Sequence, residues 1–202
     1  MEILYKDCFG TFITARQAAN DGNYDKLYKP AVAGLIKKIE NYAAGELVTI
    51  YYYKEADETV NEIINKLLPY ECGFGIIERE TYGLYLIEKT EHYSGGKFVG
   101  KTRDLYDSTG LHIASEETDP VTNLPDYELT TKHLGEYIHE EDSGCIFYYN
   151  SDGSFSYCED NYASYQDMEI FDETTVHSIK HKYMLSDAMY SFYLTAEFLP
   201  PI

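Results

Sequence analysis

The sequence contains no tryptophan and none of the patterns that direct secretion, membrane insertion or nucleotide binding. Its first residues, MEILYKDCFG, lack a basic region followed by a long apolar run, so we expect no signal peptide. No run of about 18 apolar residues occurs, which argues against a membrane-spanning helix. The motifs GxxxxGKS/T, GxSxG and GxGxxG after a strand are missing, so we expect no cofactor and no recognisable catalytic site.

Cysteine is scarce and shows no regular spacing. The four cysteines, Cys8, Cys72, Cys145 and Cys158, contain no CxxC pair. In the absence of a signal peptide, we expect the chain in the cytoplasm, where thiols stay reduced. Cys145 and Cys158 flank a predicted hairpin at offset positions, so no disulfide is expected between them.

Basic residues are few and unevenly distributed. The chain has 16 Lys and Arg against 35 Asp and Glu, a formal net charge of −19. Residues 1–101 hold 15 acids and 12 bases, whereas residues 102–202 hold 20 acids and 4 bases. Such a second half repels nucleic acid and anionic membranes and attracts basic proteins or cations. The alternative is a solvated acidic surface that only keeps the protein soluble.

Tyrosine, by contrast, is abundant, with 22 copies beside 9 phenylalanines. Because Tyr is enriched in strands and at protein interfaces, the composition favours a β-rich fold with a contact-prone surface. We predict an α+β fold, an antiparallel β-rich sheet with two or three helices contributed mainly by the N-terminal half. A single domain over 1–202 is expected; the alternative is an α+β N-terminal half (1–90) and an acidic β-rich C-terminal half (97–202).

Local patterns predict the individual elements. Apolar residues at helical spacing predict helices at 12–19, 32–42 and 56–68. Runs of β-branched and aromatic residues, or of alternating polarity, predict strands at 47–53, 74–80, 84–90, 98–106, 111–115, 176–184 and 190–198. Residues 116–126 are expected to form an exposed loop and 161–173 an irregular segment, while 127–142 fit either a helix or a strand.

The stretch NSDG predicts a tight turn between two aromatic strands. Asn and Asp suit the first and third turn positions, and the glycine suits the left-handed conformation that follows, which gives a three-residue loop ending in a glycine bulge. In that register Tyr149 lies opposite Phe155, and Phe147 lies opposite Tyr157. The four rings then share one face, which we expect to attach the hairpin to the core.

The other side of this hairpin and the acidic run after it form the predicted partner-binding surface. Duplex DNA carries one negative charge per about 1.7 Å of axis, and alternate residues of an extended segment lie about 6.6 Å apart. Carboxylates interleaved with tyrosines can therefore imitate a row of phosphates and add packing area. The predicted binding residues are Tyr148, Glu159, Asp160, Tyr162, Tyr165, Asp167, Glu169, Asp172 and Glu173. The alternative is a solvated acidic loop without a partner.

His177 and His181 are the candidates for a metal site, four residues apart with two acids just upstream. On a helix the two imidazoles would share a face, which suits a metal ion. The β-branched context of HSIKHKYM favours a strand, which separates the two rings by about 13 Å. We therefore predict no metal centre, and a metal-assisted hydrolase that uses these histidines is an alternative function.

Together these observations predict an intracellular binding protein without enzymatic activity. The expected partner is a basic protein that handles nucleic acid, such as a nuclease, and direct binding to nucleic acid or membrane is not expected. Two settings fit: a phage-type inhibitor that blocks a host defence enzyme as a nucleic-acid mimic, and an immunity protein that blocks a toxin nuclease. A self-assembling subunit, including a homodimer built through the Tyr-rich strands, is a further alternative.

Overall fold

The computed structural model describes residues 1–30, 35–135, 144–161 and 168–201. The strands are β1 (Glu2–Asp7), β2 (Phe12–Ile13), β3 (Tyr24–Lys29), β4 (Lys38–Ala43), β5 (Glu46–Tyr53), β6 (Gly73–Tyr82), β7 (Tyr85–Ser94), β8 (Lys97–Tyr106), β9 (His112–Thr118), β10 (Pro125–Leu134), β11 (Gly144–Tyr149), β12 (Phe155–Asn161) and β13 (Met168–Phe171). The helices are α1 (Ala15–Asp21), α2 (Val60–Leu67), α3 (His177–Lys182) and α4 (Asp187–Tyr193), and a 3-10 helix covers Leu68–Tyr70. The described part of the chain is thus mostly β-sheet with four short α-helices.

The chain forms two compact units, which we call unit 1 and unit 2. Unit 1 comprises Met1–Arg79 and Lys89–Lys101, and unit 2 comprises Glu80–Glu88 and Thr102–Ile202. The long strands β6, β7 and β8 therefore contribute residues to both units.

In unit 1 the strands follow the order β8-β7-β6-β5-β4-β3-β1-β2. Strands β5 and β6 are parallel, with Ile50 opposite Phe74. Parallel neighbours need a crossover connection, and the segment that contains α2 supplies it. Ile63 and Leu67 of α2 belong to the same buried cluster as these two strand residues. The apolar side of α2 therefore packs in the core of unit 1 together with β5 and β6.

Helix α2 confirms the helix predicted at 56–68, and its start is set by a capping box. The side chain of Thr59 accepts the N–H of Glu62 at 3.3 Å, and the Glu62 carboxylate accepts the N–H of Thr59 at 2.9 Å. These two bonds satisfy donors that the first helical turn leaves unpaired. The residues before Thr59 therefore stay outside the helix.

In unit 2 the strands follow the order β13-β12-β11-β10-β9-β8-β7-β6, and the pairs from β9–β10 to β12–β13 are antiparallel. Ile179 of α3 and Phe192 of α4 are buried in one cluster with Phe147 of β11. Tyr193 of α4 stacks on Phe147 with ring centroids 4.8 Å apart. The core of unit 2 therefore includes one face of β11 and the apolar sides of the two C-terminal helices.

The helix predicted at 32–42 is wrong, because the described part of this stretch contains the strand β4. Lys38–Ala43 pairs with β3 on one side and with β5 on the other. Leu35 and Ile39 recur at helical spacing, but backbone pairing with two strands outweighs so weak a local preference. Residues 31–34 lie outside the described residues.

The strands predicted at 176–184 and 190–198 are also wrong, because these stretches contain α3 and α4. Phe192 and Tyr193 are adjacent and both buried, which an alternating strand does not allow. The side chain of Ser186 accepts the N–H of Met189 and so begins α4. The alternation of polarity over 190–198 is too short to outweigh this cap and the burial of two neighbouring rings.

The sheet is mixed and mostly antiparallel, which fits the α+β class in its broad form. Strand β5 confirms the strand at 47–53, and β6 and β7 confirm the strands at 74–80 and 84–90. Among the described residues two α-helices lie in each half, so the expected concentration of helices in the N-terminal half is not confirmed. None of the helices in the described part combines the length and apolar character that crossing a bilayer requires.

Replacing Gly75 by alanine is expected to lower the free energy of unfolding by about 1–3 kcal/mol, because it overpacks the core of unit 1. A Cβ atom at this position would lie 2.8 Å from the Thr90 methyl group and 2.8 Å from the Tyr51 ring. Thr90 is itself buried and has little room to move. Urea denaturation followed by tyrosine fluorescence measures the loss.

The matched control is Gly100→Ala, another strand glycine of unit 1, where an added Cβ atom would meet nothing within 4 Å. This variant is expected to be neutral or slightly stabilised, because alanine restricts the unfolded chain. Equal effects of the two substitutions would contradict the packing argument.

Candidate protein-binding surface

The hairpin of β11 and β12 carries the predicted binding surface, and its turn forms as predicted. The N–H of Gly153 donates to the carbonyl of Asn150 at 2.8 Å, and the N–H of Asn150 donates to the carbonyl of Ser154 at 2.9 Å. Gly153 has φ 82°, in the left-handed region. Tyr149 lies opposite Phe155. These features confirm the turn and its first cross-strand pair.

Beyond that pair the register shifts by one residue. Tyr148 lies opposite Tyr157, and Phe147 lies opposite Cys158. Ser156 is therefore an extra residue in β12, which makes a β-bulge. The predicted pairing of Phe147 with Tyr157 is wrong, because a bulge moves every later residue of its strand to the other face. Phe147 stays fully buried, whereas Tyr157 is half-exposed.

We call the side of the sheet that carries Tyr148 the outer face. Residues directly opposite each other in neighbouring strands point to the same side, so the register defines rows across β10 to β13. The outer face contains one row of Thr131, Tyr148 and Tyr157 and a second row of His133, Ile146, Glu159 and Ile170. The inner face carries Lys132 and Phe147, which are fully buried.

Two predicted binding residues, Tyr148 and Glu159, lie together on the outer face. The rings of Tyr148 and Tyr157 stack with centroids 4.6 Å apart and planes 16° apart. The Tyr148 hydroxyl donates to the Glu159 carboxylate at 3.1 Å. All three residues are partly exposed. The outer face thus presents an aromatic pair directly beside a carboxylate.

The prediction that Asp160 belongs to the exposed surface is wrong. Asp160 is fully buried on the inner face, opposite Cys145. Its carboxylate forms an ion pair with Lys182 of α3 and accepts the Tyr183 hydroxyl at 3.1 Å. Alternation along β12 sends Glu159 outward and therefore Asp160 inward. Through these two contacts Asp160 connects the C-terminal end of α3 and the following Tyr183 to the sheet.

The remaining predicted residues separate into two groups. Glu169 is exposed but lies opposite Asp160, on the inner side of β13, and so does not share the outer face with Glu159. Asp172 and Glu173 are exposed in the turn after β13. The other predicted residues, Tyr162, Tyr165 and Asp167, lie outside the described residues.

Asp172 also has a structural role that sequence reasoning missed. Its carboxylate accepts the hydroxyls of Thr174 and Thr175 at 2.7 and 2.9 Å and their N–H groups at 2.9 and 3.1 Å. These bonds, led by that of the Thr174 hydroxyl, lower the pKa of Asp172 to about 2. The carboxylates of Asp107, Asp119 and Asp152 likewise accept hydrogen bonds from backbone N–H groups of their own turns. The sequence signal for such a turn is a Thr or Ser two or three residues after an Asp. Some of the acidic residues of the chain therefore stabilise turns.

Charge separates strongly between the two units. Unit 1 contains 13 acids and 12 bases, a formal net charge of −1. Unit 2 contains 22 acids and 4 bases, a formal net charge of −18. The negative charge of the chain is therefore concentrated in unit 2.

The four basic residues of unit 2 are all engaged within the chain. Arg103 contacts Glu116 at 2.6 Å, Lys180 forms an ion pair with Asp187, and Lys182 forms one with Asp160. The fourth, Lys132, is fully buried. These bases already have their own partners, so the exposed acids of unit 2 give it a negative surface.

Lys132 is a buried lysine in β10 that the sequence did not reveal. Its amine donates to the carbonyls of Thr195, at 2.7 Å, and of Phe192. The amine also lies 3.5 Å from the centroid of the Phe192 ring. Burial lowers the pKa of Lys132 to about 7, although nearby Glu197 favours the charged form. These hydrogen bonds therefore connect β10 to the C-terminal end of α4 and the residues that follow it.

A second unpredicted feature of unit 2 is a pair of histidines from β9 and β10. The rings of His112 and His133 have centroids 4.7 Å apart. An Asp104 carboxylate oxygen lies 3.2 Å from His112 Nε2, and the Thr131 hydroxyl lies 3.2 Å from His133 Nε2. Burial, and then the neighbouring His112, lower the pKa of His133 to about 4. His133 is therefore neutral at pH 7.

His177 and His181 lie on α3 and not on a strand, and both are exposed. Within the described residues, no group of three or more His, Cys, Asp or Glu side chains is arranged to hold a metal ion. The described cysteines are free thiols. Hydrogen bonding to Cys145, together with burial, raises the pKa of the Cys158 thiol.

Comparisons of the chain with protein-family models, with curated proteins and with solved structures found no match. The function therefore has to be inferred from the surface itself.

Proposed function

We propose that the chain binds a basic protein that handles nucleic acid, such as a nuclease, inside the cell and blocks its nucleic-acid-binding surface. The observation that carries this proposal is the charge of unit 2, −18, with its four basic residues already engaged. A surface of one sign attracts an oppositely charged protein and speeds association. Nucleic acid and anionic membranes carry the same sign as unit 2 and are repelled.

The contact area is proposed to centre on the outer face. Tyr148 and Tyr157 provide the aromatic area that is typical of the energetic centre of an interface, and Glu159 provides charge beside them. The exposed Glu169 and Glu173 extend the negative surface around β13. Asp160 is left out of the proposed contact, because it is buried in an ion pair.

The same surface serves either of two settings. An inhibitor of a host defence enzyme and an immunity protein against a toxin nuclease both need an acidic surface that competes with nucleic acid for a basic one. The identity of the captured enzyme distinguishes the two settings.

Reversing the charge of Glu159, Glu169 and Glu173 to lysine is expected to lower partner binding by more than about tenfold, because each change replaces an attraction by a repulsion. The full chain and the triple variant are used as baits in a lysate of the native host. A basic nucleic-acid-binding protein is expected on the first bait alone. High salt and added duplex DNA are both expected to release it.

The control bait carries Glu2→Lys, Glu46→Lys and Glu71→Lys, the same charge change on exposed residues of unit 1. It is expected to retain the partner, apart from a small long-range effect of the changed net charge. Capture that survives the reversal in unit 2, high salt and duplex DNA would contradict the proposed function.

A further inference from the structure

We propose that the stacked Tyr148 and Tyr157, together with Glu159, form a docking site for an arginine side chain of the basic partner. This inference rests on the proposed function and specifies which cationic group the outer face recognises. A guanidinium group is planar, stacks on aromatic rings and presents a fork of N–H donors that matches a carboxylate. A lysine ammonium is a compact, strongly hydrated charge and gains less from such a site.

The geometry provides both halves of such a site. The two rings are nearly parallel, with planes 16° apart, and both residues are partly exposed, so a side chain of a partner can reach the aromatic pair. The Tyr148 hydroxyl donates to one oxygen of Glu159, Oε2. A carboxylate has about four acceptor positions, so Glu159 can keep this bond and accept a guanidinium as well.

The residues beside the carboxylate favour the binding of a long cationic side chain. Glu159 lies opposite Ile146 of β11 on one side and Ile170 of β13 on the other. Ile170 is 62% exposed, a large apolar side chain at the surface. Apolar neighbours remove water from an ion pair once a partner covers them, and they also contact the methylene groups of arginine.

Unit 2 already contains an arginine bound in this manner. The Arg103 guanidinium lies 4.3 Å from the centroid of the Phe198 ring and donates to Glu116 at 2.8 and 2.6 Å. An aromatic ring and a carboxylate thus hold a guanidinium together within this same unit. The outer face offers the same two chemical groups at the surface.

Charge complementarity selects a basic partner over a second copy of this chain. Two copies docked through this face would bring together two units of −18 each. The only bases of unit 2 are engaged within their own chain or buried, so none is available to offset the repulsion. An arginine-bearing partner supplies the missing positive charge.

The test compares two fluorescent peptides, nine arginines and nine lysines, whose binding to the full chain is measured by fluorescence anisotropy at several salt concentrations. The wild-type chain is expected to bind the arginine peptide at least about fivefold more tightly than the lysine peptide. Tyr157→Leu and Glu159→Gln are each expected to weaken binding of the arginine peptide by about five- to twentyfold and to change binding of the lysine peptide by less than about twofold.

Three controls separate recognition from folding and from net charge. Tyr157→Phe keeps the ring and is expected to keep the arginine preference. Glu46→Gln and Tyr70→Leu make the matching changes at exposed positions of unit 1 and are expected to have little effect. Circular dichroism checks that each variant is folded.

The outcomes are distinct for the two proposals. Equal affinity for both peptides would contradict the proposed arginine docking site, and so would an arginine preference that survives Tyr157→Leu and Glu159→Gln. Either result would leave the proposed binding of a basic protein by unit 2 unaffected. Binding of neither peptide at low salt would contradict the proposed function and, with it, the docking site.

Discussion

Replacing Lys182 by methionine is expected to lower the free energy of unfolding by about 3 kcal/mol, the lower end of the range found when one partner of a buried ion pair is removed, because Asp160 is fully buried but Lys182 is partly exposed. Lys182 is the cation of the Asp160 carboxylate, which is fully buried beside the Cys145 thiol in unit 2. In the variant the Asp160 carboxylate keeps the hydrogen bond from the Tyr183 hydroxyl but loses its cation. The Asp160 side chain has no exposed surface, so its carboxylate recovers little solvation from water when the ammonium group is removed.

The same chain offers a matched control on the same helix. Lys180 forms an ion pair with Asp187, and the two lysine side chains are 32% and 33% exposed, but the Asp187 side chain is 93% exposed. Lys180→Met is therefore expected to cost no more than about 1 kcal/mol, as for other surface pairs. Urea denaturation followed by tyrosine fluorescence suits a chain with 22 tyrosines and no tryptophan. Equal losses in the two variants would contradict the role assigned to Asp160.

The stability of the wild-type chain is expected to rise by about 2 kcal/mol between pH 7 and pH 9 because of Lys132. Burial lowers the pKa of this lysine to about 7, from 10.5 in the unfolded chain. Between these two values the unfolded state binds more protons than the folded state, so raising the pH favours folding. Below pH 7 both states hold the proton, and the fold carries the cost of burying an ammonium group.

The neutral amine also suits its surroundings. It keeps two N–H donors, which match the carbonyls of Phe192 and Thr195. Other shifted groups of unit 2 contribute little over this window. His133 has a pKa of about 4, and the pKa of Tyr149 is raised well above its ordinary value by burial. The raised pKa of the Cys158 thiol lowers stability slightly towards pH 9, where the unfolded thiol begins to ionise, and so opposes the rise. The rise is therefore assigned to one residue.

Lys132→Met is expected to remove this rise, because methionine fills a similar volume but does not titrate. It is also expected to cost about 1–3 kcal/mol at pH 9, since the two carbonyls lose their donor. Lys180→Met, in which the lysine lost is partly exposed, is expected to keep the rise. Denaturation curves at pH 6, 7, 8 and 9 for the three proteins measure both effects, and a rise that persists in Lys132→Met would contradict the assignment.

Local chemistry made several elements predictable. The NSDG turn forms because Asn150 and Gly153 have the backbone preferences and hydrogen bonds that it requires. The apolar stripe and capping box of α2 are likewise contained in a few consecutive residues. By contrast, the stretches that became β4, α3 and α4 have weak local preferences, and their structures depend on what packs against them.

The predicted binding residues divide in the same way. Tyr148 lies on the outer face, as its position in the hairpin suggested, but Glu159 lies there only because the bulge shifts the register of β12, and Asp160 is buried one residue further along. The bulge at Ser156 decides that Tyr157 joins them, and no pattern in β12 predicted it. The partner of Asp160 is 22 residues away on α3, so its ion pair depends on tertiary contacts that sequence spacing does not reveal.

The sequence by itself determined the charge of this protein, the imbalance between its halves and the absence of familiar catalytic motifs, because composition and short motifs do not depend on folding. Only the tertiary structure decided which of those charges reach the surface. Burial and register assign three carboxylates, those of Glu40, Glu116 and Asp160, to buried positions, several to turns and one to a place beside two stacked tyrosines. Folding brings residues that are distant in the sequence close together, and this arrangement places a carboxylate and two tyrosines side by side on one face of the sheet.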